Sequence, residues 1–329
     1  MKSVLRSPGI QAPRHGAVPN TTTRTRQNMH IAIIGGSGLI GSETARQLVA
    51  AGHTVTLLSR RPAADLPDLP WKACEIADAA VRDTLASIRP AAVIHLAALL
   101  QFSCDQQPAE AIRINVDGTV NVLEACRAAG IRRVVFGSSM AVYGRRTDRM
   151  SETDPIPDDV GLYGQTKRLC EILGARYRAL YGMEFVALRY AGVIGPQELH
   201  SAGMAMVRQQ IRSTASGKDV TIDDASGRET VHLTHVSDAA AATVAAALHP
   251  GPAHTVYNVA GPIDNYMTLV DYHAAVRALV PHAGAVHWAG SARGAGPLDL
   301  TRLQTDLGVS PAVTVPEALR RDLRTLGWL

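Results

Sequence analysis

The chain has 329 residues, 46% of them hydrophobic and 4% aromatic, which is enough for one large α/β domain with a smaller lobe and an aliphatic core. Five of the 33 basic residues lie in residues 1–28, which contain no acidic residue. The other 28 basic residues nearly balance the 29 acidic ones, which argues against a general electrostatic attraction to nucleic acid.

The spacing of the cysteines and histidines indicates the redox state of the compartment and whether a metal site is expected. The four cysteines are widely separated and form no CxxC pair, which predicts unpaired thiols in a reducing, cytoplasmic compartment. No apolar stretch is long enough to span a membrane, and the twelve histidines show no metal-ligand spacing, so neither a membrane partner nor a metal is expected. We expect residues 1–28 to be a disordered leader and 29–190 to form a dinucleotide-binding core.

The first predicted strand leads into a glycine-rich turn. The continuous apolar run Ile31 to Ile34 is typical of a strand buried on both faces of a parallel sheet. Glycine is needed after it because the turn is tight and a pyrophosphate must approach the backbone at a helix N-terminus. A second strand, Thr54 to Leu58, favours a dinucleotide motif over a structural glycine turn. The predicted cofactor-binding residues of this turn are Gly35, Gly38, Leu39, Ile40 and Gly41.

The end of the second strand distinguishes between the two nicotinamide dinucleotides. NAD sites have an acidic residue here, which accepts hydrogen bonds from the adenosine ribose. This strand ends Ser59-Arg60-Arg61, a hydroxyl and two guanidiniums that suit a 2′-phosphate. The sequence therefore favours NADP, with NAD as the alternative cofactor and a solvated basic turn as the alternative interpretation.

Strands and helices then alternate at the rhythm of a doubly wound parallel sheet, the Rossmann architecture of the α/β class. Further strands are predicted at 71–76, 92–96, 134–136, 185–189, 220–223, 231–235 and 255–259. Further helices are predicted at 79–88, 109–129, 163–181, 203–215, 238–248, 269–279 and 317–326. Residues 191–329 are expected to form mostly a small C-terminal substrate-binding lobe, with 231–260 returning to the core. Ligands bind beyond the carboxyl ends of such strands, so 35–41, Ala97–Ala98 and Ser138–Ser139 should meet at one crevice.

Ser139 at a predicted strand end, with Tyr163 and Lys167 on a predicted helix, forms the candidate catalytic group. Side chains at i and i+4 share one helix face, where an ammonium stabilises a phenolate and lowers the tyrosine pKa toward the working range. Tyr163 can then exchange a proton with a substrate oxygen that Ser139 hydrogen-bonds. For the Tyr–Lys pair taken alone, the alternative is an ordinary pair of surface neighbours.

Several stretches together resemble the extended short-chain dehydrogenase/reductases of the NAD(P)-dependent epimerase/dehydratase family. They are GGSGLIG, VIHLAA, INVDGTVNVLEAC, GSSMAVYG, YGQTK, LRYAGVIGP, RETVHLTHVSDAA and YNVAGP, within 31–262. The resemblance implies that Ser139, Tyr163 and Lys167 are the catalytic triad. It also implies that Tyr163 and Lys167 contact the cofactor, with Lys167 on the nicotinamide ribose.

The same resemblance implies further residues around the cofactor. Glu75 and Ile76 fall where the family has a pair beside the adenine, and Ala97 and Ala98 line the cofactor. Asn115 is implied to be a structural or relay residue, with a helix-packing amide as the alternative. A homodimer through the helices near 109–129 and 163–181 is also implied.

Departures from the family pattern narrow the expected reaction. Sugar-nucleotide dehydratases carry an Asp-Glu pair after the catalytic hydroxyl, where this chain has Met140-Ala141, so dehydration is not expected. Gly192 replaces an Asn that contacts the nucleotide sugar in epimerases. Arg228 matches an Arg that contacts a substrate diphosphate, with a surface salt bridge as the alternative. The expected substrate-binding residues are Ser139, Met140, Gly192 and Arg228.

The main hypothesis is an NADP-dependent oxidoreductase that reduces a ketone or oxidises a secondary alcohol on a small, polyhydroxylated or sugar-like substrate. The first alternative is a sugar-nucleotide epimerase, which holds its cofactor tightly and runs the hydride transfer twice. The second alternative is a non-catalytic NADP-sensing protein, and the intact catalytic triad argues against it.

Overall fold

A seven-stranded sheet lies at the centre of the computed structural model, which describes residues 28–196, 204–291 and 294–329. Its strands are β1 (His30–Ile34), β2 (Thr54–Ser59), β3 (Trp71–Ala73), β4 (Ala92–His95), β5 (Arg133–Ser139), β6 (Glu184–Tyr190) and β10 (Val256–Val259). They lie in the order β10-β6-β5-β4-β1-β2-β3, and every neighbouring pair is parallel. The predicted doubly wound α/β fold is therefore confirmed. Apart from Asn28, the predicted leader lies outside the described residues.

Helices cover both faces of this sheet. On one face are α1 (Leu39–Ala50) and α8 (Val236–Leu248), and on the other are α2 (Val81–Ile88), α5 (Gly118–Ala128) and α6 (Leu162–Tyr181). In β1, Ile31 and Ile33 face the first pair of helices, whereas Ala32 and Ile34 face the other three. This burial on both faces explains the continuous apolar runs in the sequence.

A smaller lobe with its own apolar core follows β6. Its elements are β7 (Gly192–Ile194), α7 (Met204–Ser213), β8 (Val220–Ile222), β9 (Thr230–His235), β11 (Tyr266–Thr268), α9 (Leu269–Leu279), β12 (Val286–Trp288) and α11 (Val315–Thr325). β9 lies between β11 and β7 in a three-stranded sheet, and β8 pairs with β12. The segment 231–260 was expected to return to the core, but β9 pairs within the lobe, and only α8 and β10 lie in the layers of the large sheet.

Local differences from the predicted elements surround the crevice. The sequence pattern does not predict α3 (Gln101–Gln106), a short helix whose apolar residues show no helical period. The predicted helix 109–129 is divided into α4 (Pro108–Ala111), a π-helical turn (Ile112–Asp117) and α5. A further short helix, α10 (Thr301–Thr305), packs against β10. Among the described helices, none has both the length and the apolar character needed to cross a membrane.

Candidate active site

The glycine turn after β1 is shaped by close backbone packing. Gly35 has φ +83°, and a Cβ built on it would lie 2.7 Å from the backbone nitrogen of Ala97, beyond the end of β4. A Cβ on Gly41 would lie 2.4 Å from the Gly35 carbonyl oxygen. Neither position accepts a larger residue unless the backbone moves. The glycine turn and the end of β4 therefore lie together, as the crevice hypothesis requires.

Gly38 differs because open space surrounds it. Among the described atoms, a Cβ on Gly38 would meet the Gly35 carbonyl oxygen at 3.3 Å and nothing closer. Gly38 is the N-cap of α1 and offers no side-chain acceptor to the first-turn amides, which are those of Leu39, Ile40 and Gly41. These amides carry the positive end of the helix dipole. They fit a pyrophosphate, the anion at the centre of a dinucleotide.

At the end of β2, the three predicted phosphate ligands have different environments. Ser59 is buried; its hydroxyl donates to the Arg61 carbonyl at 2.6 Å and accepts from the Trp71 indole at 3.0 Å. Arg60 and Arg61 are exposed, and neither guanidinium forms an ion pair or hydrogen bond with a described residue. Ser59 therefore has no proton left for a phosphate oxygen, whereas both guanidiniums are available.

The residues expected beside the adenine lie in the turn after β3. Ile76 is buried; a Cβ on Gly118, at the start of α5, would lie 2.8 Å from its side chain. The Ile76 carbonyl accepts a hydrogen bond from Asn121 at 3.0 Å. Glu75 is half-buried and accepts a long hydrogen bond, 3.4 Å, from the Ala77 amide. These contacts fix the turn while the Glu75 carboxylate remains partly accessible.

Ser139 and Tyr163 meet at the carboxyl end of the sheet. Ser139 is the last residue of β5, and its Oγ accepts a hydrogen bond from the Ala141 amide at 3.2 Å. Tyr163, in the first turn of α6, is half-buried, and its phenol lies close enough to the Ser139 hydroxyl for that group to lower its pKa. A substrate oxygen at this point would meet both hydroxyls.

Lys167 lies one turn further along α6 and is only 2% exposed. Its Nζ donates to the Gly137 carbonyl at 2.6 Å and lies 4.8 Å from the centre of the Phe136 ring. The distance from Nζ to the centre of the Tyr163 ring is 5.6 Å. Burial lowers the pKa of Lys167 to about 8, so the ammonium is still the main form at neutral pH.

The pKa of Tyr163 shifts in the direction opposite to the one expected from the sequence. Burial raises it well above the ordinary value of a phenol, the Cys104 side chain adds to the rise, and the nearby Ser139 hydroxyl opposes it. Because the Lys167 Nζ donates to Gly137, the ammonium does not offset the burial of the phenol. In this structure the Tyr163 phenol is therefore neutral and is a proton donor.

A buried ion pair supports the reacting end of the site, which is the end formed by Ser139, Tyr163 and Lys167. Arg189 on β6 donates to the two carboxylate oxygens of Glu171 at 2.8 and 2.7 Å, and both side chains are 1% exposed. The Ser138 hydroxyl donates to Glu171 at 2.6 Å, which ties the end of β5 to α6. Glu171 is not among the residues predicted from the sequence, although its position four residues after Lys167 places it on the same helix face.

Asn115 holds the segment after β4 against α6. Its Oδ1 accepts a hydrogen bond from the Leu99 amide at 2.7 Å, and its Nδ2 donates to the Leu99 carbonyl at 3.0 Å. Nδ2 also donates to the Thr166 hydroxyl at 3.2 Å. These bonds connect the backbone that follows Ala98 to the helix that carries Tyr163. They fit a structural role for Asn115, which is one of the two roles expected from the resemblance, the other being a relay.

The remaining residues expected at the substrate are divided between the core and the lobe. Met140 is half-buried in the short turn after β5. Gly192 begins β7, and a Cβ on it would lie 3.3 Å from Nη1 of Arg208. Arg228 is exposed, and its guanidinium forms no ion pair or hydrogen bond with any residue in the described ranges. Sequence analysis gave no signal for Arg208, because an arginine in a polar helical segment is usually a surface residue.

Comparison with known proteins places this geometry in a family. A model of the NAD dependent epimerase/dehydratase family matches residues 31–260. A UDP-N-acetyl-α-D-glucosaminuronate decarboxylase from Bacillus cytotoxicus is 33% identical over 235 residues, covering 65% of this chain and 70% of the relative. A UDP-glucose 4-epimerase from Lacticaseibacillus casei is 30% identical over 235 residues, covering 64% of this chain and 70% of the relative.

A solved structure has the same architecture over nearly its whole length. The UDP-glucose 4-epimerase of Thermus thermophilus in complex with NAD has a TM-score of 0.81 at 25% identity, covering 91% of this chain and 99% of that one. The family and this neighbour support an enzyme with a nicotinamide dinucleotide cofactor, which the glycine turn and the amides of α1 fit. The chain belongs to the NAD-dependent epimerase/dehydratase family, as its motifs indicate.

Proposed function

We propose that the chain is an epimerase of a nucleotide-linked sugar that acts by transient oxidation of one ring hydroxyl. The observation that carries the proposal is the meeting of the Ser139 hydroxyl and the Tyr163 phenol at the carboxyl end of the sheet, with the buried Lys167 Nζ 5.6 Å from the centre of the Tyr163 ring. Such a group suits reversible proton exchange at an alcohol oxygen. Relatives named for UDP-sugar chemistry support this choice over the ketone reductase that the sequence alone favours.

Tyr163 is the group that exchanges the proton of the reacting hydroxyl. During oxidation its phenolate accepts that proton, and during the return step the phenol gives it back. Lys167 is mostly protonated at neutral pH, and its ammonium lowers the free-energy cost of the phenolate when Nζ turns from the Gly137 carbonyl toward Tyr163. Ser139 holds the reacting oxygen within reach. When bound, a nicotinamide cofactor supplies the carbon that takes and returns the hydride.

The residues after Ser139 support a reaction without loss of water. Elimination of water beside a ketone needs an acid and a base, and neither Met140 nor Ala141 has an ionisable side chain. Epimerisation needs no such pair, because the hydride returns to the carbon that it left.

Turnover of UDP-glucose with NAD tests this proposal directly. The purified protein is expected to form the C4 epimer, UDP-galactose, which chromatography of the nucleotide sugars measures. Reduced nicotinamide is expected not to accumulate, because each hydride returns to the sugar. Steady accumulation of reduced nicotinamide would contradict epimerisation, as would no turnover of any UDP-hexose or UDP-uronate.

Arg60 and Arg61 favour a second candidate, an NADP-dependent reductase or dehydrogenase. Their exposed guanidiniums suit the 2′-phosphate of NADP, which a reductase exchanges at each turnover. Cofactor exchange distinguishes the two functions. NAD that stays bound through gel filtration supports the epimerase, whereas free NADPH that binds more tightly than NADH and exchanges rapidly supports the second candidate.

We also propose a homodimer that forms through α6 and the π-helical turn before α5. Ile112, Leu169 and Ile172 are exposed apolar side chains there, and with Val116 and Leu162 they line a groove of about 300 Å³. Contiguous apolar surface of this kind is typical of a protein contact. Sedimentation tests the proposal, and a monomer at micromolar concentration would contradict it.

A further inference from the structure

One buried cation in the lobe has no acid beside it among the residues that the structure describes. Arg208 on α7 is only 8% exposed, and its side chain forms no ion pair or hydrogen bond with a described residue. Burial lowers the pKa of its guanidinium, and the neighbouring charge of Arg212 lowers it further. The phenol of Tyr272 also lies near it and is neutral, because burial raises its pKa. A buried guanidinium without a counter-charge is costly, unless a ligand supplies one.

Arg212, one turn further along α7, shows how a structural arginine is held in the same core. It is 6% exposed, and its Nη1 donates to the Gly195 carbonyl at 2.7 Å. Nη1 also lies 3.4 Å from the carboxylate of Asp322, which is 1% exposed. The same carboxylate lies 3.5 Å from Nε2 of His235. Asp322 is therefore shared between two partners, and Arg208 is not one of them.

Arg208 lies beside Gly192, which follows the strand that pairs with the strand of Ser139. The register of the large sheet places Tyr190, the last residue of β6, opposite Ser139. Gly192 follows two residues later and is half-buried, and a Cβ on it would lie 3.3 Å from Nη1 of Arg208. Because Gly192 has no side chain, the guanidinium lies close to the backbone that follows β6.

We infer that Arg208 binds an oxyanion of the substrate, either a carboxylate on the sugar or a phosphate of the nucleotide. The inference rests on the proposed function, because it names the anionic substrate class of the same site. A guanidinium presents a planar fork of donors that matches both groups. Its position beside Gly192, near the strand end of Ser139, favours the sugar carboxylate. UDP-sugars with and without a carboxylate distinguish the carboxylate from the phosphate.

Binding to the full chain in the presence of NAD provides the first test. UDP-glucuronate, UDP-glucose and UDP would be titrated by calorimetry into the wild type and into Arg208→Gln. Loss of a charge-assisted pair is expected to weaken UDP-glucuronate binding by about 10- to 100-fold. Unchanged UDP-glucose binding would assign the carboxylate, and equal weakening of all three ligands would assign the phosphate. Unchanged binding of all three would overturn the inference.

Thermal unfolding without a nucleotide sugar provides a second readout and a matched control. Arg208→Met is expected to keep or raise Tm because it removes an unpaired buried charge. Arg212→Met should lower Tm because it leaves the buried Asp322 carboxylate without its arginine partner. Equal losses of Tm would indicate a structural role for Arg208 and would overturn the inference. A wild type that binds none of the three ligands would contradict the proposed function itself.

Discussion

The two ends of the crevice differ in how firmly the fold holds their functional groups. At the reacting end, Lys167 is fixed by the Gly137 carbonyl, and the bonds of Glu171 tie α6 to the neighbouring strands. At the end of β2, the adenosine end of the predicted cofactor site, Arg60 and Arg61 are exposed and bond to no described residue. The side chains of the reacting end are therefore held by the folded chain, whereas Arg60 and Arg61, which we propose distinguish NADP from NAD, have no partner among the described residues.

The largest expected effect is at Tyr163, the residue proposed to transfer the proton at the reacting end. Tyr163→Phe keeps the ring and removes the proton donor, so kcat should fall by roughly 10³-fold, as for other general acid–base groups. Nucleotide-sugar binding should change little, because the phenol is one of many contacts. Product formation and calorimetry measure the two quantities. Turnover within tenfold of the wild type would show that another group moves the proton.

Glu171→Gln tests how strongly the reacting end is held. It leaves the Arg189 guanidinium buried without its counter-charge, so the free energy of unfolding should fall by about 3–5 kcal/mol. Urea denaturation measures the loss, and replacing both partners with Met should cost less than the single change. Glu110→Gln, at the exposed pair with Arg113, is the matched control and should have little effect. Equal losses in the free energy of unfolding for Glu171→Gln and Glu110→Gln would contradict a special role of the buried pair.

Lys167 should give the reacting end a pH signature. Its pKa is about 8 in the folded chain and 10.5 as the ordinary value, so between these pH values the unfolded chain binds more protons. The free energy of unfolding should therefore rise with pH across this window, relative to Lys167→Met, and the burial cost should be constant below it. Urea denaturation across the window measures the difference. Parallel curves for the two chains would show that the pKa is not lowered.

The smallest effect is expected at the adenosine end. Arg60→Ala removes one charge-assisted bond to a 2′-phosphate, so NADPH binding should weaken about 10-fold, with NADH binding nearly unchanged. Nicotinamide fluorescence titration measures both affinities, and Lys72→Ala on the neighbouring β3 is the control. Equal weakening of both cofactors would contradict a phosphate contact, and no weakening would exclude the predicted role of Arg60.

The sequence predicted those parts of the fold whose pattern is local. The strand at 31–34 is apolar without alternation because both of its faces are buried, and the spacing of Tyr163 and Lys167 follows directly from the helical period. The strand predicted at 231–235 pairs within the lobe and not with the large sheet, and its residues do not encode which neighbour it pairs with. That pairing is decided by tertiary packing.

In the candidate site, too, the properties of single side chains depend on tertiary packing that the local sequence does not show. The pKa of Tyr163 depends on where the Lys167 ammonium points, and the sequence cannot show that it points to Gly137. Arg208 has the sequence context of a surface residue, and its burial arises only when α7 packs in the lobe. Glu171 could have been found, because it continues the four-residue spacing of α6.

Trp71 gives the adenosine end an optical property. It is one of three tryptophans, is 36% exposed, and its indole donates to Ser59 at the end of β2. Trp288 and Trp328 pack instead against the core of the lobe. A nucleotide seated at the end of β2 would change the surroundings of the Trp71 indole, and its reduced nicotinamide would accept the excitation energy. With the two lobe tryptophans replaced by Phe, the chain would report the arrival of its cofactor through its own emission.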